Sequence, residues 1–384
     1  MGDLTLSDEI KAYFPDHDKF CVQNLLVVSW SIFEGKTTNL NKAKDYVAGI
    51  LGNGLRVDES SNYARLIRFF KTENQAALVK SILTVCCLFL KPSRGRRGTQ
   101  YLVLDGTEWA IGETKIQLLT LCILWHGVAI PIWWEDLEKL GHSSQEERKI
   151  LIINALKQYD LRGMVLLADR EYLGEDWFSF LRQQGIDFVI RLKSTVYHAQ
   201  VNASKGLRQS AMLHQVQGQN RRQWVDKNIT LKGFNYRYIV VKNRKQDPEE
   251  PLLYLLTSLD RADKAIGAYA LRWKIESCFK HLKSNGFDLE AMNVKGSEKR
   301  QLMMAVVVFL YVLATTEGYL AIQKTKNDKK HYKYFHDKQV QTLAISFFRK
   351  GISVLHRKID NFKELLTWLT EILKELIMPN WCHV

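Results

Sequence analysis

Two short apolar runs constrain this chain more than anything else in it. "QYLVLD" (Gln100–Asp105) and "MVLLADREY" (Met164–Tyr172) are unbroken by polar residues until each meets an aspartate. Runs of this length, rich in leucine and valine, predict buried strands. Around them the order of elements is legible. "KIQLLTLCILWHG" and "VAIPIWW" predict two more strands, separated at His126-Gly127. "SSQEERKILIINALKQY" predicts a helix opened by a capping box, with Ser143 or Ser144 at the cap and Glu146 or Glu147 reaching back. "GEDWFSFLRQQGI" predicts a second helix and "DFVIRLK" a further strand.

The flanks read differently. The first ~90 residues carry helical periodicity. Ser7 is a candidate cap for "SDEIKAYF", and "DKFCVQNLLVVSWSIFEG" ends at Gly35. "TNLNKAKDYVAGILGNG" and "SSNYARLIRFFK" are spaced as a helix-turn-helix. On the second, a helix over 60–71, Arg65, Arg68 and Lys71 lie three apart on one face and are candidate DNA contacts. An ordinary amphipathic helix pair has the same pattern. "KPSRGRRG" (Lys91–Gly98) marks a boundary, and its basic residues suit phosphate as well. Residues 191–250 hold twelve lysines and arginines against four acidic residues and read as a basic, strand-rich insertion. From Ser297 the chain is helical again. "MMAVVVFLYVLA" (Met303–Ala314) is too short to span a bilayer and reads as a core helix. The stripe of Leu365, Leu366, Leu369, Ile372 and Leu376 on the last helix is a candidate dimer face, unless it packs on the 303–314 helix.

The expected class is therefore α/β. Three hairpin-like strands, a helix, a strand, a helix and a strand follow the order of an RNase H-like core. The expected segments are a helical DNA-binding domain at 1–92, core at 98–194, basic β-rich insertion at 195–252, core resumed at 253–296, and a helical C-terminal domain at 297–384.

A formal charge of +14 favours a polyanionic partner, nucleic acid first. The six cysteines are scattered without a C-x-x-C pair, which fits a reducing cytosol and excludes a cysteine-rich zinc module. Acidic residues near the N-terminus stand where a signal peptide carries basic ones. The expectation is a cytoplasmic, nucleoid-associated protein with no membrane partner.

The chemistry starts from the aspartates. Asp105 and Asp169 each follow a strand, where open α/β sheets build their sites. A lone aspartate there is commonly a turn former. A pair on neighbouring strands can share hard divalent cations, Mg²⁺ with Mn²⁺ as substitute. A third carboxylate would complete a two-metal phosphoryl-transfer site. "YALRWKIESCFKHLK" (Tyr269–Lys283) offers one. On a single helix at ~100° per residue, Tyr269, Arg272, Glu276 and Lys283 share an arc of about 60° that flanks the apolar stripe. A plain Arg272–Glu276 pair at i,i+4 is the alternative.

The spacing Tyr-x2-Arg-x3-Glu-x6-Lys resembles the signature of a group of bacterial insertion-sequence DDE transposases. "LVLDGTEW" resembles that group's first-aspartate segment and "LLADREY" its second, and the basic block resembles its β-insertion. Order and spacing agree over residues 98–290. The resemblance implies a cut-and-paste transposase in which Asp105, Asp169 and Glu276 bind two cations. Tyr269, Arg272, Lys283 and Arg170 would hold phosphates of the transposon end. It implies double-stranded DNA partners, both inverted-repeat ends and target, and a homodimer in the synaptic complex. It also implies a hairpin intermediate, with a flipped base stacked on an aromatic. Trp224 in "RRQWVDK" is the tryptophan of the insertion; it is a stacking candidate or a core residue. An RNase H-like endonuclease that cuts without joining, and a domesticated DNA-binding protein, are the rival readings.

Overall fold

A computed structural model describes residues 6–52, 58–90, 98–111, 114–193, 224–243, 250–283, 286–325, 332–335, 340–343, 345–376 and 381–382. The chain forms two compact units. One comprises Gly95–Glu108 and Gln117–Cys278, the other Met1–Arg94, Trp109–Ile116 and Phe279–Val384.

The first unit is built on an eight-stranded sheet of order β3-β2-β1-β4-β5-β8-β7-β6. β1 (Tyr101–Ile111), β2 (Thr114–Trp125) and β3 (Val128–Asp136) come first in the chain. His126 and Gly127 both have positive φ, the two-residue geometry whose twist matches a hairpin, and they join β2 to β3. β3 is an edge strand, which accommodates Pro131 and its missing N–H. β4 (Val165–Ala168) and β5 (Asp187–Leu192) then add in parallel, β4 beside β1. All four residues of β4 are buried, which is why its sequence shows no alternation.

The β1–β4 register decides where the aspartates lie. Its last pair is Leu104 with Ala168, so Asp105 and Asp169 take the next position on adjacent parallel strands. The sequence reading ended β1 at Asp105. In the structure β1 continues to Ile111 beside β2, while β4 stops at Ala168.

α6 (Gln145–Leu156) starts with the capping box Ser144–Glu147, which resolves the choice left by the sequence. α7 (Glu175–Gln183) packs on β5. The described strands of the basic segment do not stand apart. β8 (Leu252–Thr257) pairs with β5, and the hairpin β6 (Trp224–Leu231) with β7 (Phe234–Lys242) continues the same sheet. The linker at 91–97 and residues 194–223 lie outside the described residues.

The second unit is helical. α1 (Asp8–Ala12) is capped by Ser7, and α2 (Lys19–Gly35) ends where Lys36 turns left-handed. α3 (Leu40–Leu51) and α4 (Glu59–Phe69) pack together as the expected pair. α4 is shorter than the 60–71 helix read from sequence. The helix ends in a turn, with the N–H groups of Lys71 and Thr72 bonded to the carbonyls three residues back, Arg68 and Phe69. Lys71 lies past the end, off the face of half-buried Arg65 and exposed Arg68.

α5 (Gln75–Phe89), α2 and α11 (Phe347–Lys358) pack on the long α10 (Ser297–Lys324). α10 is long and apolar enough to cross a membrane, and its apolar window is 83% buried inside the protein. α12 (Phe362–Glu375) carries the leucine stripe considered above as a dimer face. Leu365, Leu366, Leu369 and Leu373 are buried, and α1 packs on the helix, with Ser7 Oγ 2.9 Å from Thr370 Oγ1. α1 thus covers part of the stripe, while Ile372 and Leu376 stay partly exposed.

α10 and α11 cross with their backbones in contact. A Cβ on Gly351 would lie 1.6 Å from the carbonyl oxygen of Ala314, and one on Gly318 1.8 Å from that of Phe347. Backbone cannot yield as a side chain can, so Gly351→Ala should destabilise the chain by about 3 kcal/mol. Gly49→Ala, on α3 with open space around the added methyl, should gain ~0.5 kcal/mol. Denaturant melts of the two variants check this. Equal effects would contradict the close crossing.

Candidate active site

The segment read as one helix over 269–283 is two. α8 (Ala262–Tyr269) and α9 (Lys274–Leu282) are joined by turns at 270–273. Backbone N–H groups of Leu271, Arg272, Lys274, Ile275 and Glu276 each bond to the carbonyl three residues back. This tighter winding runs at three residues per turn. It brings Tyr269 and Arg272, three apart, to the same side, and α8 packs on β4 and β5. The 60° arc computed for an unbroken helix does not apply across the junction. No proline announces the break, so the sequence gives no local signal for it.

Both residues reach the strand aspartates. Tyr269 donates its hydroxyl to Asp169 Oδ1 at 3.1 Å. Arg272 donates through Nη1 to Asp105 Oδ2 at 3.0 Å and through Nη2 to Glu276 Oε1 at 2.8 Å. One guanidinium therefore ties two of the three predicted carboxylates, and the Arg272–Glu276 pair is part of the site rather than an isolated surface contact. Asp105 Oδ1 accepts from its neighbour, the Gly106 N–H, at 3.0 Å. Arg191 on β5 stands 3.7 Å from Asp169.

Burial dominates the electrostatics. Asp105 is pushed up to about 6, first by loss of water and further by Glu171 and Asp169, against the pull of Arg272. Burial pulls the Arg272 guanidinium down, but Asp169, Tyr269, Asp105 and Glu276 together hold it above its ordinary value. Burial and then Asp169 raise the Tyr269 phenol, which stays a donor. Asp169, Arg170, Glu171, His142 and Lys193 line a cleft of about 440 Å³. Glu250 pairs with both Arg170 and Arg191 on this side.

Five predicted residues thus come together: Asp105, Asp169, Glu276, Tyr269 and Arg272. Arg170 lines the cleft beside them. Lys283 falls in the helical unit, 3.6 Å from Glu290 and 6.0 Å from the centre of the Trp109 ring. Arg65, Arg68 and Lys71 also belong to that unit. Trp224 opens β6 opposite Val241, and its side chain lies outside the described residues.

Sequence reasoning missed Arg191, Glu250, Tyr172 and Trp273. Arg191 had a signal, the alternation in "IRLK". Trp273 had one too, between Arg272 and Lys274. Its indole is 50% exposed, with the Lys274 ammonium 4.7 Å from the ring centre. Glu250 and Tyr172 had none.

The donor set suits a hard divalent cation, being carboxylate oxygens around a buried acid that a nearby positive charge would relieve. Among the described residues no three acidic, histidine or cysteine side chains already converge as a metal cage. Arg272 supplies the positive charge between Asp105 and Glu276 instead.

A family model described as a transposase DDE domain matches residues 97–313, more than half of the chain. The chain belongs to this family. It is a transposase, an enzyme of DNA transposition. Among solved structures, a piggyBac transposase in a synaptic complex with hairpin DNA aligns with 97% of this chain and 80% of its own at 10% identity, with a TM-score of 0.46. No curated protein matches the sequence.

The carboxyl of Asp105 gives the transposase a pH signature. It titrates near 6 in the folded chain, against an ordinary 3.8. Between these values the folded state holds the proton and the unfolded state does not, so stability falls as pH rises from 4 to 6. Above 6 the ionised group costs about 3 kcal/mol. Asp105→Asn should therefore melt higher than wild type at pH 8, and the gap should close as pH is lowered toward 4. Thermal melts across that range check it. A variant no more stable than wild type at pH 8 would contradict the assignment.

Proposed function

We propose that this transposase cuts DNA at the inverted repeats of its own element and joins the freed 3′ ends to target DNA. The observation that carries the reading is the Arg272 fork between Asp105 and Glu276, with Tyr269 on Asp169. Asp105 and Glu276 share the Arg272 fork, and Asp169, on the cleft, accepts from Tyr269 three residues before that arginine. The strand order β3-β2-β1-β4-β5 supports an RNase H-like core under it.

Asp105, Asp169 and Glu276 would hold two Mg²⁺ ions, with Mn²⁺ as substitute. Bound there, the ions would activate the attacking oxygen and stabilise the leaving oxygen of an in-line displacement. The chain's own groups do the rest. The Arg272 guanidinium, now on carboxylates, has the forked donor set that also fits phosphate. Arg170 and the Tyr269 hydroxyl stand beside it for neighbouring phosphates, and Lys283 is proposed as a further contact. Water is the first nucleophile, and the freed 3′ hydroxyl is the next. Attack of that hydroxyl on the opposite strand makes a hairpin and releases the flanking DNA; water reopens the hairpin, and the regenerated 3′ hydroxyl then attacks target DNA to complete the transfer. Trp224 is the candidate for stacking a base flipped out at the hairpin, worth ~1–3 kcal/mol. Arg65 and Arg68 on α4 are the candidate readers of the repeat, with Lys71 just beyond.

Excision of both ends together favours two chains and two ends in one complex, each chain cutting the end held by the other. A basic protein with this activity would work on the nucleoid in the cytoplasm.

DNA flanking the gene, carrying its short inverted repeats, is the substrate for the test. With Mg²⁺, denaturing gels should show a nick, a hairpin and then strand-transfer product. Asp105→Ala, Asp169→Ala and Glu276→Ala should each lose detectable cleavage while still shifting the end DNA. Mixing Glu276→Ala chains with Arg65→Ala/Arg68→Ala chains should restore cutting. Cutting without joining would favour the endonuclease reading. Cutting by any carboxylate variant alone would remove that residue from the centre.

A further inference from the structure

Arg148 is a charged residue buried deep in the first unit, only 5% exposed; among the described residues no carboxylate forms an ion pair with its guanidinium, and Glu171 and Glu147 act on it from farther off. Its partners are almost all backbone. Nη2 donates to the carbonyls of Ser143 at 2.6 Å and Glu171 at 3.0 Å. Nη1 donates to the carbonyl of Leu173 at 3.4 Å, and Nε to Ser143 Oγ at 3.0 Å. Burying a cation against neutral carbonyls is costly unless the donors are well used. Here the planar fork spans two loops, which no lysine could do.

What the fork encloses is Tyr172. Glu171 and Leu173 flank it in the chain, and the guanidinium sits 5.0 Å from its ring centre. The ring is 1% exposed. The Tyr172 N–H closes a turn onto the carbonyl of Asp169 at 3.1 Å. Its hydroxyl points at Asp105 Oδ1 from 3.5 Å, longer than a full hydrogen bond. One residue therefore meets both aspartate segments, its main chain on Asp169 and its hydroxyl near Asp105.

We infer that Arg148 and Tyr172 are positioning residues that set the relation between Asp105 and Asp169, and thereby the affinity of the transposase for its divalent cations. The inference rests on the reading of the two aspartates as metal-holding residues. Arg148 clamps the loop on both sides of Tyr172, and Tyr172 carries the constraint to Asp105. Both side chains are buried, so neither is placed to touch DNA. Groups that orient metal ligands typically change metal affinity 10–100-fold when removed.

The test is Mn²⁺ binding to the full chain, followed by the electron paramagnetic resonance signal of free Mn²⁺, beside end-DNA binding and thermal melts. Tyr172→Phe, which keeps the ring, should weaken Mn²⁺ roughly tenfold with melting and end-DNA affinity unchanged. Arg148→Lys should weaken it similarly, and the double variant should be no worse than the weaker single, because both act along one path. In cleavage the loss should appear in kcat, with KM for the end unchanged. A merely structural role would lower melting and leave Mn²⁺ affinity of the folded protein intact. Wild-type Mn²⁺ affinity in Tyr172→Phe, or fully additive losses in the double variant, would overturn the inference. Asp169→Asn is the control for the underlying reading. If it binds Mn²⁺ as wild type does, the metal assignment itself has failed and this inference falls with it.

Discussion

Arg272 places one nitrogen 3.0 Å from Asp105 and another 2.8 Å from Glu276, with its side chain 13% exposed. An isolated acid as buried as Asp105 would be neutral at pH 7 rather than charged. The guanidinium offsets part of that cost and fixes where the Glu276 helix stands against the sheet. Most of what distinguishes this site follows from that contact. The cluster of charges is compatible with a stable fold because it is largely compensated internally.

The contact depends in turn on two features of the backbone. The first is the β1–β4 register, which ends at Leu104 and Ala168 and so sets Asp105 and Asp169 side by side. The second is the tight winding between α8 and α9, which turns Tyr269 and Arg272 toward the strands together. A regular helix through Ala270–Trp273 would rotate each residue 100° from the last and spread these two side chains by about 60°. The raised titration of Asp105 shows the compensation to be incomplete. Active sites commonly hold such destabilised groups, kept in place by packing elsewhere. Buried β4 and the backbone crossing at Gly318 and Gly351 are two closely packed parts of the chain.

Much of this was legible in the sequence. The aspartates showed because buried parallel strands leave unbroken apolar runs, and a charge ending such a run is conspicuous. Tyr269, Arg272 and Glu276 showed through spacing and resemblance, although the geometry first drawn from them assumed one straight helix. The break at 270–273 was invisible because it uses ordinary helix formers. The end of α4 before Lys71 is a turn that no glycine or proline announces. That α1 covers part of the α12 stripe was not legible because the two helices lie some 350 residues apart in sequence. Arg148 and Tyr172 were hidden for the same reason. A buried arginine bonded to carbonyls has no periodic signature, and only the fold brings it beneath the aspartate loop.

The direct test of a single cation centre is to map it on the polypeptide with iron. Fe²⁺ replaces Mg²⁺ at oxygen-ligand sites, and with ascorbate and peroxide it generates radicals that cut nearby backbone. Asp105, Asp169 and Glu276 in one centre predict three cuts, close to residues 105, 169 and 276, all suppressed together by excess Mg²⁺ and all absent from Asp169→Asn. Cuts at only one of these positions, or cuts that persist in excess Mg²⁺, would show that the three carboxylates do not act as one centre.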